Sequence, residues 1–233
     1  MWHLKKGDLK KQEILRTAES LFCRNGYEAT GVQEIIDALH TSKGSFYHHF
    51  VSKEALLEEI CRARLSADAL HCQLPPSGSD PVSELNALLS CVIPFTGEKL
   101  SFLLMLLPVF RLNEGIHLRC FYEKELIKIY SDPLSEILKK GTSYGFFVCR
   151  NPAFSADTVL LIVNRLWMKT CDMILERESA GSVADPAELL AMIGEYRLAI
   201  ERILCAPFGS ISLIRLSDIL SITEQIHLHW RKA

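Results

Sequence analysis

Three features of the sequence predict an all-α fold. Apolar residues recur at helical spacing in nearly every segment, Asp-Pro and Gly punctuation stands where helices start and stop, and no segment alternates as a strand does. The 233 residues are 48% hydrophobic and 23% charged, enough to bury a core and too apolar for intrinsic disorder. That length fits one large domain or two small ones. The longest apolar stretch, Leu100 to Phe110, is about half of the roughly 20 residues a membrane-spanning helix needs, and Pro108 interrupts it. Met1 to Lys11 is charged and lacks the apolar region of a signal peptide, so the expected location is the cytoplasm, with no membrane partner.

Each element has its own signal. Ile14, Ala18, Leu21 and Phe22 share one helical face, and Gly26 ends that helix. Thr30 with Gln33 has capping-box spacing, and Val32, Ile35, Ile36 and Leu39 supply the buried stripe of a short second helix. Thr41 or Ser42 caps a very short third helix that ends near His49. A fourth helix starts near Ser52, carries Leu56, Leu57, Ile60 and Leu65, and reaches about Leu74. Leu74-Pro75-Pro76-Ser77-Gly78-Ser79-Asp80-Pro81 is a loop, with Asp80 as the next N-cap and Pro81 at the first helical position. Helical runs follow over Val82 to Thr96, Leu100 to Leu112, Gly115 to Lys140 with Pro133 as a kink, and Ser155 to Glu178. Asp185-Pro186-Ala187-Glu188 opens a helix whose Leu189, Ile193, Tyr196, Ile200 and Ile203 form a stripe that requires a partner helix. A last helix follows Pro207-Phe208-Gly209 and carries Leu216, Ile219, Leu220, Thr223 and Trp230.

The eight cysteines (Cys23, Cys61, Cys72, Cys91, Cys120, Cys149, Cys171, Cys205) form no C-x-x-C pair and sit mostly in apolar runs, so they read as reduced core residues. His48/His49 and His227/His229 are the close histidine pairs, and neither comes with the further ligands a metal needs; no metal and no cofactor is expected. The formal net charge of −2 carries no global sign of a polyanion partner. Residues 1 to 53 nevertheless hold eight bases (Lys5, Lys6, Lys10, Lys11, Arg16, Arg24, Lys43, Lys53) against six acids, which leaves the remainder acidic.

A short helix, a tight turn and a second short helix rich in small and hydrogen-bonding groups is the plan of a helix-turn-helix. In Ser42-Lys43-Gly44-Ser45-Phe46-Tyr47-His48-His49-Phe50, the two phenylalanines are four apart and anchor one face. Lys43, Gly44, Ser45, Tyr47 and His48 then point elsewhere, and the small Gly44 and Ser45 permit close approach to base edges. Together with Ile14, Ala18, Phe22, Gly26-Tyr27, Thr30, Ile35, Lys53 and Leu56-Leu57, this segment resembles the N-terminal signature of the tetracycline-repressor (TetR) family of bacterial regulators, over about residues 10 to 60. His40 stands where that pattern has glycine, Thr41 where an aliphatic is common, and Ile36 and Leu39 where alanines are frequent. A histidine in a left-handed turn is tolerated at some cost.

The resemblance implies an N-terminal three-helix helix-turn-helix DNA-binding domain (1–51) and a C-terminal helical ligand-binding and dimerisation domain (52–233). It implies that Tyr47, Lys53 and Thr30 hold phosphates and that Gln33, Lys43 and Ser45 read bases; Ser42, which can cap the third helix, belongs to the same DNA-binding set, and His48 and His49 either contact phosphate or pack. The implied partners are a double-stranded DNA operator, a second copy of the chain and an unknown small-molecule effector, in a regulator that acts as a repressor. A dimer interface would use the stripe Leu189, Ile193, Tyr196, Ile200 and Ile203 with Val163, Leu166 and Trp167, or that stripe is plain core. Phe102, Met105, Phe110, His117, Tyr122 and Tyr130 either line an apolar ligand cavity or fill the core. Action through a protein partner is one alternative. Another is a serine hydrolase, since Gly141-Thr142-Ser143-Tyr144-Gly145 matches G-x-S-x-G; but Ser143 follows a helix tail, and no sheet supports an oxyanion hole there.

Overall fold

The computed structural model describes residues 6–76, 78–94, 99–110 and 112–230. Lys5, Ser77, Phe95 and Thr96 lie outside the described residues, as do the side chains of His227, His229 and Trp230. Among the described residues the chain forms ten helices and no strand. They are α1 (Lys6–Asn25), α2 (Val32–Ala38), α3 (Lys43–His49), α4 (Lys53–Leu70), α5 (Pro81–Val92), α6 (Lys99–Val109), α7 (Asn113–Ser143), α8 (Pro152–Ser179), α9 (Pro186–Leu204) and α10 (Leu216–Trp230). No described helix is long and apolar enough to cross a membrane. α7 runs unbroken through Pro133, and α4 stops at Leu70, short of Leu74.

Two compact units form, one from Met1–Arg64 with Ser101–Tyr122 and one from Leu65–Leu100 with Glu123–Ala233. The division therefore does not fall at 51/52. The first part of α4 belongs with α1 to α3, because Leu56, Leu57 and Ile60 are buried with Ile14, Ala18, Phe22, Ile35 and Phe46. Tyr27 closes this core edge-on to Phe22, with ring centroids 5.1 Å apart. Ion pairs tie α1 to α4 around it: Lys11 to Glu59 at 2.5 Å, and Glu19 to Arg64. Burial alone would raise the Glu59 carboxyl, but the hydrogen bonds and charges of Lys11 and Arg62 bring it below the usual carboxylate range.

In the second unit α8 is the central helix. Val159, Val163, Leu166 and Trp167 are all within 1% of complete burial. The Trp167 indole donates to Asn164 Oδ1 at 2.7 Å, and Asn164 donates in turn to Glu123 at 2.8 Å, so these three side chains form a paired chain in the interior. α9 packs on α8, and α10 packs on α9. The stripe of α9 meets α10 of its own chain: Leu189 and Ile193 gather with Thr170, Ile214, Ile219 and Ile222.

Several local expectations need correction. The capping box at α2 does not form; Gly31 is the N-cap, while the Thr30 hydroxyl donates to Gly26 O at 2.8 Å and Gln33 turns to Asp37. Cys72 and Cys91 are bridged, with Cα atoms 5.7 Å apart, so the eight cysteines are not all reduced. Cys23, Cys120 and Cys205 are exposed rather than in the core, whereas Cys61, Cys149 and Cys171 are buried.

His40 adopts φ +47°, as its place at a glycine position requires. The turn closes with His40 N–H on Asp37 O at 3.1 Å and Thr41 N–H on Ile36 O at 3.2 Å, the paired bonds of a Schellman ending. Because the left-handed conformation costs an L-residue roughly 1–2 kcal/mol, His40→Gly is expected to stabilise the protein by about 1 kcal/mol and raise Tm by about 2–4 °C in a circular-dichroism melt.

Candidate nucleic-acid interface

α3 is built by its ends and its two phenylalanines. Ser42 is the N-cap, its Oγ accepting from Ser45 N–H at 3.1 Å, and Phe50 N–H closes the far end on Phe46 O at 3.0 Å. Phe46 is completely buried and Phe50 nearly so, which orients every other side chain of the helix. Ser42, Lys43, Gly44, Tyr47 and His48 are exposed, and Ser45 and His49 are half-buried. The Lys43 ammonium lies 6.0 Å from the Tyr47 ring centroid, which places a cation beside a phenol on the outer face. Space around Gly44 is open; a Cβ there would meet nothing nearer than Ser42 Oγ at 4.0 Å. His49 is pushed below its ordinary range by burial, then by the neighbouring charges of His48 and Lys11, so at neutral pH it adds no charge to this face.

The other proposed contacts sit differently. Gln33 is exposed on α2 and donates to Asp37 Oδ1 at 2.7 Å. Thr30 is completely buried with its hydroxyl on a backbone carbonyl, which corrects its assignment as a side-chain phosphate contact. Lys53 is half-buried; its Nζ donates to Tyr27 O at 3.0 Å and Thr30 O at 3.3 Å and stands 4.2 Å from the Tyr27 ring centroid. It braces the connection between α1 and α2. Gly31 was not expected at the α2 cap; the run Thr30-Gly31-Val32 offers two plausible N-caps, and burial of the threonine decides between them.

Among the residues considered for a ligand cavity, His117 lines a small one of about 100 Å³ with Tyr27, Glu54, Leu57, Glu58, Val109 and Leu118. Phe102, Met105, Phe110, Tyr122 and Tyr130 do not line it and are buried. Phe102 lies under the Arg64 guanidinium and Phe110 under that of Arg119. The Tyr130 hydroxyl is buried without a hydrogen-bond partner among the described residues, and burial, with the nearby Asp68 charge, raises its pKa.

Of the residues considered for a dimer interface, Val163, Leu166, Trp167, Leu189, Ile193 and Ile200 are buried inside one chain, which corrects their placement on a surface between copies. Tyr196 is half-buried and Ile203 is 38% exposed. Ser143 ends α7 and donates to Lys140 O at 2.7 Å, a helix-terminal use rather than that of a poised nucleophile. Gly141 is required for a different reason: a Cβ there would lie 2.2 Å from the Phe147 ring. Among the described residues no group of three or more His, Cys, Asp or Glu lies where it could hold a metal ion.

A capped, outward-facing α3 that follows α2 across a tight turn, on a core shared with α1 and α4, is the arrangement of a helix-turn-helix DNA-binding domain. Residues 14–60 match the family model for "Bacterial regulatory proteins, tetR family". Over 82 residues it is 38% identical to the HTH-type transcriptional repressor KstR2 of Rhodococcus jostii, a match covering 35% of this chain and 40% of that one. Over 50 residues it is 48% identical to the HTH-type transcriptional regulator QacR of Staphylococcus aureus, covering 22% of this chain and 27% of the relative. The chain thus spans well under half the length of the curated relatives it matches. Across the whole fold it resembles RolR in complex with resorcinol, at TM-score 0.57 and 13% identity over 94% of this chain and 95% of that one. It also resembles Salmonella enterica GusR, at TM-score 0.54 and 22% identity over 87% and 99% of the two chains.

Removing the α3 cap by Ser42→Ala is expected to cost about 1 kcal/mol of stability in urea unfolding, because the short helix frays.

Proposed function

We propose that this protein is a ligand-responsive transcriptional repressor that binds a pseudo-palindromic operator as a homodimer. The observation that carries this reading is the display of Lys43, Gly44, Tyr47 and His48 on a helix anchored from behind by Phe46 and Phe50. Two such helices related by a twofold axis enter successive major grooves roughly 34 Å apart. Lys43, Ser45 and Gln33 read bases, while Tyr47 and His48 hold the backbone; Lys53 acts from behind, by fixing the loop that presents α2. The role is regulatory rather than catalytic, and it is carried out in the cytoplasm, where the DNA is.

The names of the relatives support the finer points: KstR2 is named a repressor, and RolR is described with a bound small molecule. An effector acts here only by binding the DNA-free arrangement better than the DNA-bound one. The second copy docks on outward side chains of α8 and α9, such as Leu161, Leu190 and Ile203, since the inward stripe is already filled.

Selection of bound sites from a random duplex pool tests the reading directly. Symmetric half-sites about one helical turn apart are the expected result, and a pool that shows no enrichment at moderate salt refutes it. On the recovered site, Lys43→Ala is expected to cost ~1–3 kcal/mol and relax preference at one position, whereas Tyr47→Phe weakens specific and random duplexes alike. Ile203→Glu is expected to convert the dimer to a folded monomer in sedimentation, while Ile193→Glu unfolds the chain.

A further inference from the structure

Operator reading makes no use of the Cys72–Cys91 bridge. Cys72 lies just beyond the last residue of α4, and Cys91 lies in the last turn of α5, so the bond joins two helix ends across the proline-rich loop. A second, noncovalent link spans the same two helices: Lys99 Nζ donates to Cys91 O at 2.6 Å and pairs with Asp68 of α4 at 3.4 Å. Both cysteines are half-buried, within reach of small oxidants and of dithiol reductants. Of the other cysteines, Cys61 is buried, with its pKa raised by desolvation and therefore inert. In a DNA-binding protein kept where thiols are reduced, a bond of this kind is transient and sensing rather than a permanent staple.

α4 runs unbroken from the bridge end back to Lys53, the residue that braces the loop before α2 and stands four residues after the end of α3. A covalent constraint on the C-terminal end of α4 removes conformations and adds none. While it is closed, the bridge limits α4 to the arrangements its two joined helix ends allow, and it opposes any movement that α4 makes on meeting DNA.

We infer that Cys72 and Cys91 form a reversible thiol–disulfide switch through which peroxide weakens operator binding; this rests on the regulator reading given above. The chemistry balances as follows. One thiolate attacks a peroxide oxygen, the O–O bond breaks, and the sulfur becomes a sulfenic acid as the first water leaves with the proton supplied. The second thiolate attacks that sulfur, the S–S bond forms, and the departing hydroxide takes a proton to leave as the second water. Two electrons pass from the cysteine pair to hydrogen peroxide. A dithiol reverses the state by exchange through a mixed disulfide and is itself oxidised.

The test uses the full chain and a duplex recovered by selection with the dithiothreitol-reduced protein. Peptide mapping after alkylation follows the bridge, and duplex affinity is measured before and after hydrogen peroxide at fixed salt. Bridge formation with affinity about tenfold lower, restored by dithiothreitol and absent from both Cys72→Ser and Cys91→Ser, is the expected result. Unchanged or tighter binding by the bridged protein overturns the switch, as does the same loss in the serine variants. A reduced protein that recovers no duplex overturns the operator reading instead; in that case a pair left unbridged by peroxide shows that the switch fails on its own account.

Discussion

The displayed face of this protein depends on the burial of Phe46. α3 is seven residues long, well below the roughly 12–15 at which a helix in water becomes even marginally stable, so its own hydrogen bonds cannot hold it. The ring sits in the core with Ile14, Phe22, Ile35 and Leu56, and the Ser42 cap satisfies an amide at the exposed end. One anchored residue then decides the direction of all the others. The left-handed turn at His40 sets the angle at which α3 leaves α2, and the buried Thr30 and the Lys53 ammonium fix the loop at the opposite end of α2. Exposed polar groups at the surface are positioned by apolar and backbone contacts beneath them.

Much of this was legible in the residues. The phenylalanine pair in α3, the stripe of α1 and the Asp80-Pro81 and Asp185-Pro186 starts each combine a periodicity with a capping residue, and such agreement between two local signals leaves little choice of structure. His40 was legible for the same reason, because a turn between two short helices admits few backbone geometries. Thr30 and Lys53 were read less well. Spacing identifies a threonine that is able to cap and a lysine near a helix start, but whether either faces water depends on Tyr27 and Phe22 folding over the loop, a contact that no local pattern encodes.

The C-terminal part shows a second limit of pattern reading. An amphipathic stripe declares that it needs a partner and is silent on whether that partner belongs to the same chain. Leu189 and Ile193 satisfy the need with Ile219 and Ile222, whose helix follows a long irregular segment. That segment is itself held by side chains: Asn86 donates to Ser210 O at 2.8 Å and accepts from Ser212 N–H at 2.8 Å, and the buried Glu201 accepts from Ile211 N–H at 3.2 Å. Cys72 and Cys91, nineteen positions apart with no flanking motif, were equally silent, because pairing between distant cysteines is a property of the folded path.

Placing the cover of α9 on a helix joined to it by a long irregular segment makes the polypeptide vulnerable at one stretch. A protease cut between residues 205 and 215 would sever α10 from α9 while leaving α1 to α4 chemically intact. Leu189 and Ile193 would then face water as an apolar strip, and such strips self-associate. Clipped molecules would clump rather than persist in solution, so damage at this stretch would remove the whole protein from circulation.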